Sequence, residues 1–158
     1  LPIYFYQKQP KEAFPVCDFG YIDTANKTEV RGEGGKTGIF YLALGDAGLY
    51  KLCYDTKTEE IHVKRLTDTG DACYRMGLGV IGEDRDYLTE EKAIYFCGRL
   101  EGEYGFYRTF DEGKSYERLN QDNQMYGEIN SIDGDKRKFG RFFLATGSRG
   151  VLYGEMKR

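Results

Sequence analysis

The chain has 158 residues, with 23 Lys and Arg against 26 Asp and Glu, for a formal charge of −3. Its 21 glycines, 14 tyrosines and 10 phenylalanines stand beside 3 prolines, one histidine and no tryptophan. Collagen is excluded for lack of a Gly-X-Y period, and disorder by the 40% hydrophobic content. The acidic balance gives no basic stripe for nucleic acid, and no apolar run approaches the roughly 18 residues of a membrane span, so neither partner is expected.

In chain order, the sequence opens Leu1-Pro2 without an initiator methionine and reads as processed or excised from a longer chain. Pro2-Ile3-Tyr4-Phe5-Tyr6 is a strand-like run, and Phe14 to Ile22 is a second one containing glycine. Ile39 to Ala43, a Gly45-Asp46-Ala47-Gly48 turn and Leu49 to Leu52 then form a β-hairpin, followed by a more polar strand from Glu60 to Leu66. The order recurs. A glycine-bearing run from Cys73 to Ile81 precedes the hairpin of Ala93–Cys97 and Gly105–Arg108, with Ser115 to Leu119 behind it. It recurs again as Tyr126 to Ile132, then Arg141–Ala145, Gly147-Ser148-Arg149-Gly150 and Val151–Tyr153.

Gly48 to Gly105 spans 57 positions and Gly105 to Gly150 spans 45. Both are near the length of a four-stranded propeller blade. The expected fold is therefore all-β, with antiparallel blades of a β-propeller and about three blades in this chain. Glycine-dense first strands suit a crowded central channel. The third unit ends without an outer strand, an edge that proteins generally cover. The Pro2–Tyr6 run, another chain or another part of the protein would cover it.

Cys17, Cys53, Cys73 and Cys97 form no C-x-x-C pair and no zinc spacing. Three disulfide connectivities are open to them, and their apolar settings favour free, buried thiols. His62 has no partner at ligand spacing and is expected on the surface. No metal and no cofactor are expected. Gly77-Leu78-Gly79-Val80-Ile81-Gly82 satisfies G-x-G-x-x-G, but the acidic loop after it replaces the helix a dinucleotide site requires. Gly35-Lys36-Thr37 lacks the first glycine of a P-loop, and Asn26-Lys27-Thr28 is a glycosylation sequon. Lys136-Arg137-Lys138 reads as a solvated turn, as does Asp133-Gly134-Asp135. Tyr126-Gly127-Glu128, placed on an inner strand, makes Tyr126 and Glu128 the candidate substrate contacts.

Thr109-Phe110-Asp111-Glu112-Gly113-Lys114-Ser115-Tyr116 fits the Asp-box, S/T-x-D-x-G-x-S/T-aromatic. In this turn the aspartate accepts local N–H bonds, the glycine takes an unusual φ, and the aromatic residue lies between sheets. Thr109, Asp111, Gly113, Ser115 and Tyr116 are thus candidate structural residues, and Tyr54 to Thr58 is a degenerate copy. Together with Gly105-Phe106-Tyr107-Arg108, Tyr126-Gly127, Ile132-Asp133-Gly134-Asp135 and the run from Phe139 to Gly154, the box resembles the C-terminal end of glycoside hydrolase family 74, the xyloglucanases and oligoxyloglucan cellobiohydrolases.

The resemblance is strong from about Leu49 to Gly154. It divides the chain into residues 1–38, weakly matched strands and loop, and residues 39–158, blades from the end of a seven-bladed propeller. It implies a secreted or cell-surface bacterial or fungal protein acting on β-glucan or xyloglucan, completed by the remaining blades or a second copy. It also implies inverting hydrolysis by two aspartates, whose carboxyl groups must stand roughly 6.5–9.5 Å apart to admit a water. The family's first aspartate motif is absent here, and Gly45-Asp46-Ala47-Gly48 resembles the second only superficially. Asp46 is the weak catalytic candidate, expected as a turn residue, and the catalytic pair is expected outside this chain. The alternative is a non-catalytic glycan-binding or protein-interaction propeller module.

Overall fold

The computed structural model describes residues 29–32, 38–55, 57–88 and 90–156. Eleven strands lie among them, in order β1 (Glu29–Gly32), β2 (Ile39–Ala43), β3 (Leu49–Asp55), β4 (Glu60–Arg65), β5 (Ala72–Val80), β6 (Lys92–Leu100), β7 (Glu103–Thr109), β8 (Glu117–Arg118), β9 (Ile129–Gly134), β10 (Phe142–Thr146) and β11 (Val151–Gly154). They form three sheets in chain order: β1-β2-β3-β4, β5-β6-β7-β8 and β9-β10-β11. Every pairing is antiparallel between consecutive strands. This is the expected all-β arrangement of three successive meanders. Among the described residues the third sheet has no fourth strand.

The middle sheet is covered on both faces, which is why β6 is buried along almost its whole length. Successive side chains on a strand point to opposite faces. Ile94 and Phe96 therefore enter a core with Tyr41, Leu49, Met76 and Tyr107, while Tyr95 and Cys97 enter a second core with Ile132, Phe142 and Leu144. Sheets share faces in this way when they stack side by side around an axis. The first strands converge on that axis, with β5 against both β1 and β9. A Cβ on Gly77 would stand 2.4 Å from the Ile132 carbonyl oxygen and 2.5 Å from Asp133 Cα. The G-x-G-x-x-G run is thus explained by the approach of two backbones.

Several expectations need correction. The first strand of the first sheet is Glu29–Gly32, paired with β2. The runs Pro2–Tyr6 and Phe14–Ile22 lie outside the described residues, as do Cys17, the sequon and Gly35-Lys36-Thr37. Tyr126-Gly127-Glu128 is not on an inner strand but ends the link before β9. Tyr126 and Gly127 have φ of 55° and 75°, a left-handed pair that cannot continue an extended ladder.

The basic run is not wholly solvated either. The Lys136 ammonium turns back to donate to the Leu78 carbonyl, to Asp133 Oδ1 at 2.6 Å and to the Gly134 carbonyl at 3.0 Å. Asp133 and Gly134 belong to β9 rather than to a reverse turn. Asp133 Oδ1 also accepts the Leu78 N–H at 3.0 Å. This lysine therefore ties β5 to β9 near the axis, a long-range role that a short charge run does not reveal. Cys73 and Cys97 are buried, whereas Cys53 is half-buried. His62 is exposed, 3.6 Å from Glu60.

Candidate functional site

Antiparallel strands alternate in direction, so the turns fall at two ends of the sheets. One end carries the β2–β3, β6–β7 and β10–β11 turns together with the links from each sheet to the next. The opposite end carries the β3–β4 and β7–β8 turns. Asp46 belongs to the first end, and the Asp-box to the second.

Asp46 lies in a tight turn closed by bonds from Leu44 N to Gly48 O at 2.9 Å and from Gly48 N to Gly45 O at 3.1 Å. Gly45 pairs with Cys73 as an isolated bridge, which fastens this turn to the start of β5. The Asp46 carboxylate is 79% exposed. It accepts the Tyr74 hydroxyl at 2.9 Å and faces Arg99 Nη2 at 3.7 Å. The Tyr74 and Tyr104 rings stand beside it, their centroids 6.5 Å apart. Burial raises the Tyr74 phenol, with the Asp46 carboxylate adding to the effect. Burial also pushes the Tyr104 phenol up to about 12, so both remain neutral hydroxyls at physiological pH. Among the described residues, the partners of Asp46 are a phenol and a guanidinium, not a second carboxylate.

The same end continues into the third sheet. Arg75 donates from Nε to the Asn130 carbonyl at 2.9 Å and from Nη1 to the Tyr74 carbonyl at 3.0 Å. The Gly147 N–H donates to the Glu128 carbonyl at 2.9 Å. Glu128 is exposed, and the half-buried Tyr126 ring stacks on Phe106 at 6.4 Å. The structure thus brings Asp46, Tyr74, Arg99, Tyr104 and Glu128 to one end, while Tyr126 turns its ring toward the core. Tyr74, Arg99 and Tyr104 escape a motif search because no spacing marks them; they become visible only as residues near strand ends in the second unit.

At the opposite end the turn from Thr109 to Tyr116 closes on itself. Asp111 Oδ1 accepts the Ser115 N–H at 2.9 Å and the Thr109 hydroxyl at 2.8 Å, and its Oδ2 accepts the Ser115 hydroxyl at 2.6 Å. Thr109 Oγ1 accepts the Gly113 N–H at 2.9 Å, and Gly113 has φ of 84°. Tyr116 then reaches across to the first sheet, donating to the Leu66 carbonyl at 2.6 Å. In the degenerate copy, Asp55 Oδ1 accepts the N–H groups of Lys57 at 2.8 Å and Thr58 at 3.3 Å.

The hydroxyl and amide of Ser115 hold the Asp111 carboxyl down at about 2, below its ordinary 3.8. A depressed folded-state value contributes stability that is present above the unfolded value and lost as pH falls through the folded one. Asp111→Asn should therefore melt at a lower temperature at neutral pH and lose less further stability between about pH 4 and pH 2 than the parent chain. Thermal melts across that range measure the difference; equal slopes would rule out this source of acid sensitivity.

Among the described residues, no group of three or more His, Cys, Asp or Glu is placed to hold a metal ion. Nor is any helix among them long and apolar enough to cross a membrane.

No family model matches the chain. Individual proteins do. A xyloglucanase of Acetivibrio thermocellus is 32% identical over 128 residues, 80% of this chain and 14% of the relative. An oligoxyloglucan-reducing end-specific xyloglucanase of Emericella nidulans is 31% identical over 127 residues, 77% of this chain and 15% of the relative. The crystal structure of the GH74 xyloglucanase from Xanthomonas campestris superposes with a TM-score of 0.67 at 28% identity, covering 82% of this chain and 17% of that one. The chain is a glycoside hydrolase family 74-like region. A GH74 enzyme from Niastella koreensis gives a TM-score of 0.63 at 25% identity over 79% of this chain. The three sheets of this family-74-like chain are consecutive blades of a partial β-propeller. The chain spans about 14% of the length of the xyloglucanase relative from Acetivibrio thermocellus.

Proposed function

We propose that this chain is part of a xyloglucan-active glycoside hydrolase of family-74 type, supplying C-terminal propeller blades and a section of glycan cleft wall. The catalytic aspartates lie outside these residues. The observation that carries the reading is identity of 31–32% to xyloglucanases along more than three quarters of the chain. The setting of Asp46 supports the placing of catalysis elsewhere. Inverting hydrolysis needs a second carboxyl group roughly 6.5–9.5 Å away, with a water between, whereas Asp46 is engaged with Tyr74 and Arg99. Asp46 acts as a turn residue that orders the cleft end. A secreted or cell-surface location goes with this reading, as does completion by the remaining blades or a second copy.

A second reading, a non-catalytic glycan-binding module, is favoured by one observation. Tyr74 and Tyr104 place two aromatic rings beside a carboxylate and a guanidinium at one end. Flat apolar rings stack on sugar faces, and charged groups bond their hydroxyls. Titration with xyloglucan oligosaccharides separates the two readings. Under the first, the chain alone neither binds measurably nor cleaves, and both activities appear when the missing blades are supplied. Binding without cleavage supports the second. In that case Tyr104→Ala should weaken affinity by about tenfold, or ~1.4 kcal/mol.

A further inference from the structure

The three sheets correspond residue by residue through their bonds and register. Leu44 N bonds Gly48 O at 2.9 Å and Thr146 N bonds Gly150 O at 3.0 Å, so the β2–β3 and β10–β11 turns correspond. Leu66 N bonds Leu49 O at 2.8 Å and Leu119 N bonds Phe106 O at 2.7 Å, so β3 and β7 correspond. Register then places Phe143 where Tyr41 and Tyr95 stand, and Val151 where Leu49 and Phe106 stand. In the first two sheets this face meets the next sheet, and Tyr41, Leu49, Tyr95 and Phe106 are at most 1% exposed. In the third sheet Phe143 is 37% exposed, Val151 71% and Tyr153, the register partner of Phe143, 69%. Leu144 and Leu152 alternate with these residues and face the second sheet. The third sheet thus leaves open the face that the first two sheets bury.

We propose that this face packs on the same face of a second copy, across a two-fold axis. The occupant is a sheet because a sheet covers the corresponding face in both other cases. It is the third sheet of the second copy, because the outward side of the first sheet is already closed. There Tyr50, Leu52 and Val63 gather into a core with Leu44 and Ala47, and all five are at most 8% exposed. Charges flanking the open face are neutralised within one copy and do not oppose the contact. Arg141, whose guanidinium lies over the Tyr153 ring at 5.9 Å, bonds Glu155 at 2.6 Å, and Asp133 bonds Lys136 at 2.6 Å. With strands roughly 4.8 Å apart and rising about 3.4 Å per residue, the face measures about 14 by 17 Å. That is a small interface, so the pair dissociates on dilution. A two-fold contact uses each copy's face once, and assembly stops at two. The inference rests on the completion of the propeller part in the proposed function and commits it to a second copy; it requires no action on glycans.

Sedimentation of the full chain over a wide concentration range, without glycan, tests it. The mass should rise from one copy to two and no further. Val151→Asp/Tyr153→Asp should raise the dissociation constant by about tenfold or more, ~1.4 kcal/mol, because the carboxylates face each other across the axis. Val151→Lys/Tyr153→Lys should do the same, and an equal mixture of the two variants should pair again. Leu88→Asp, at an exposed apolar residue off this face, should pair like the parent, and so should Phe40→Asp/Tyr54→Asp on the first sheet. Hydrogen exchange at the β6 amides reports that each variant is folded. A parent chain that stays a single copy at every concentration would overturn the proposal. So would mixed Asp and Lys variants that do not pair. Loss of pairing in Phe40→Asp/Tyr54→Asp, or growth beyond two copies, would also overturn it by making the contact head to tail.

Discussion

Gly77→Ala is expected to cost at least about 3 kcal/mol, the upper end of what overpacking exacts, and to loosen the second and third sheets from each other. A Cβ at this position would stand 2.4 Å from the Ile132 carbonyl oxygen, 2.4 Å from Asp133 Oδ1 and 2.5 Å from Asp133 Cα. Two of these three are backbone atoms of β9, which cannot rotate away as a side-chain tip can. To admit the methyl group, β9 must retreat from β5. That retreat breaks the bond from Leu78 N to Asp133 and the lysine bridge above it. Gly147→Ala is the control: its nearest neighbour would be 3.5 Å away on the Glu128 side chain, so its stability should stay within about 0.5 kcal/mol of the parent. Denaturant unfolding of both variants gives the comparison. A Gly77→Ala chain as stable as the Gly147→Ala chain would mean that β5 and β9 do not approach as described.

Tyr116→Ala should be nearly as damaging, at about 3 kcal/mol, the lower end for removal of a large buried aromatic because this ring is only half-buried. The ring closes the core shared by the first two sheets, lying against Phe96 and beneath Leu66. Its hydroxyl supplies a separate part of the effect. Tyr116→Phe keeps the ring but strips the Leu66 carbonyl of its donor, and leaving a buried acceptor unsatisfied costs about 1–3 kcal/mol. The ordering Ala worse than Phe, and Phe worse than the parent, is the expected result in thermal or chemical unfolding. If Phe matched the parent, the bond to Leu66 would contribute nothing.

The strands were legible because their signal is local. Ile39–Ala43 is a short apolar and aromatic run followed by a glycine turn, and its bounds coincide with β2. The Thr109–Ser115 turn is local in the same way, since Thr109, Asp111, Gly113 and Ser115 bond one another within seven residues. What escaped the sequence depends on pairs distant along the chain. Tyr74 meets Asp46 across 28 positions, and Lys136 meets Leu78 across 58, and no periodicity encodes such meetings. Tyr126 was misplaced on a strand because an aromatic residue followed by glycine reads equally well as a strand end or as the left-handed turn it forms. The glycines of β5 announced a crowded strand, but only the structure shows that β9 crowds it.

The proposed function is tested most directly by incubating the purified chain with xyloglucan and measuring new reducing ends, with Asp46→Asn in parallel. The account predicts that neither protein releases product alone, and that both support equal hydrolysis once the missing blades are supplied. Release of product by the chain alone, abolished in Asp46→Asn, would contradict it and make Asp46 a catalytic residue.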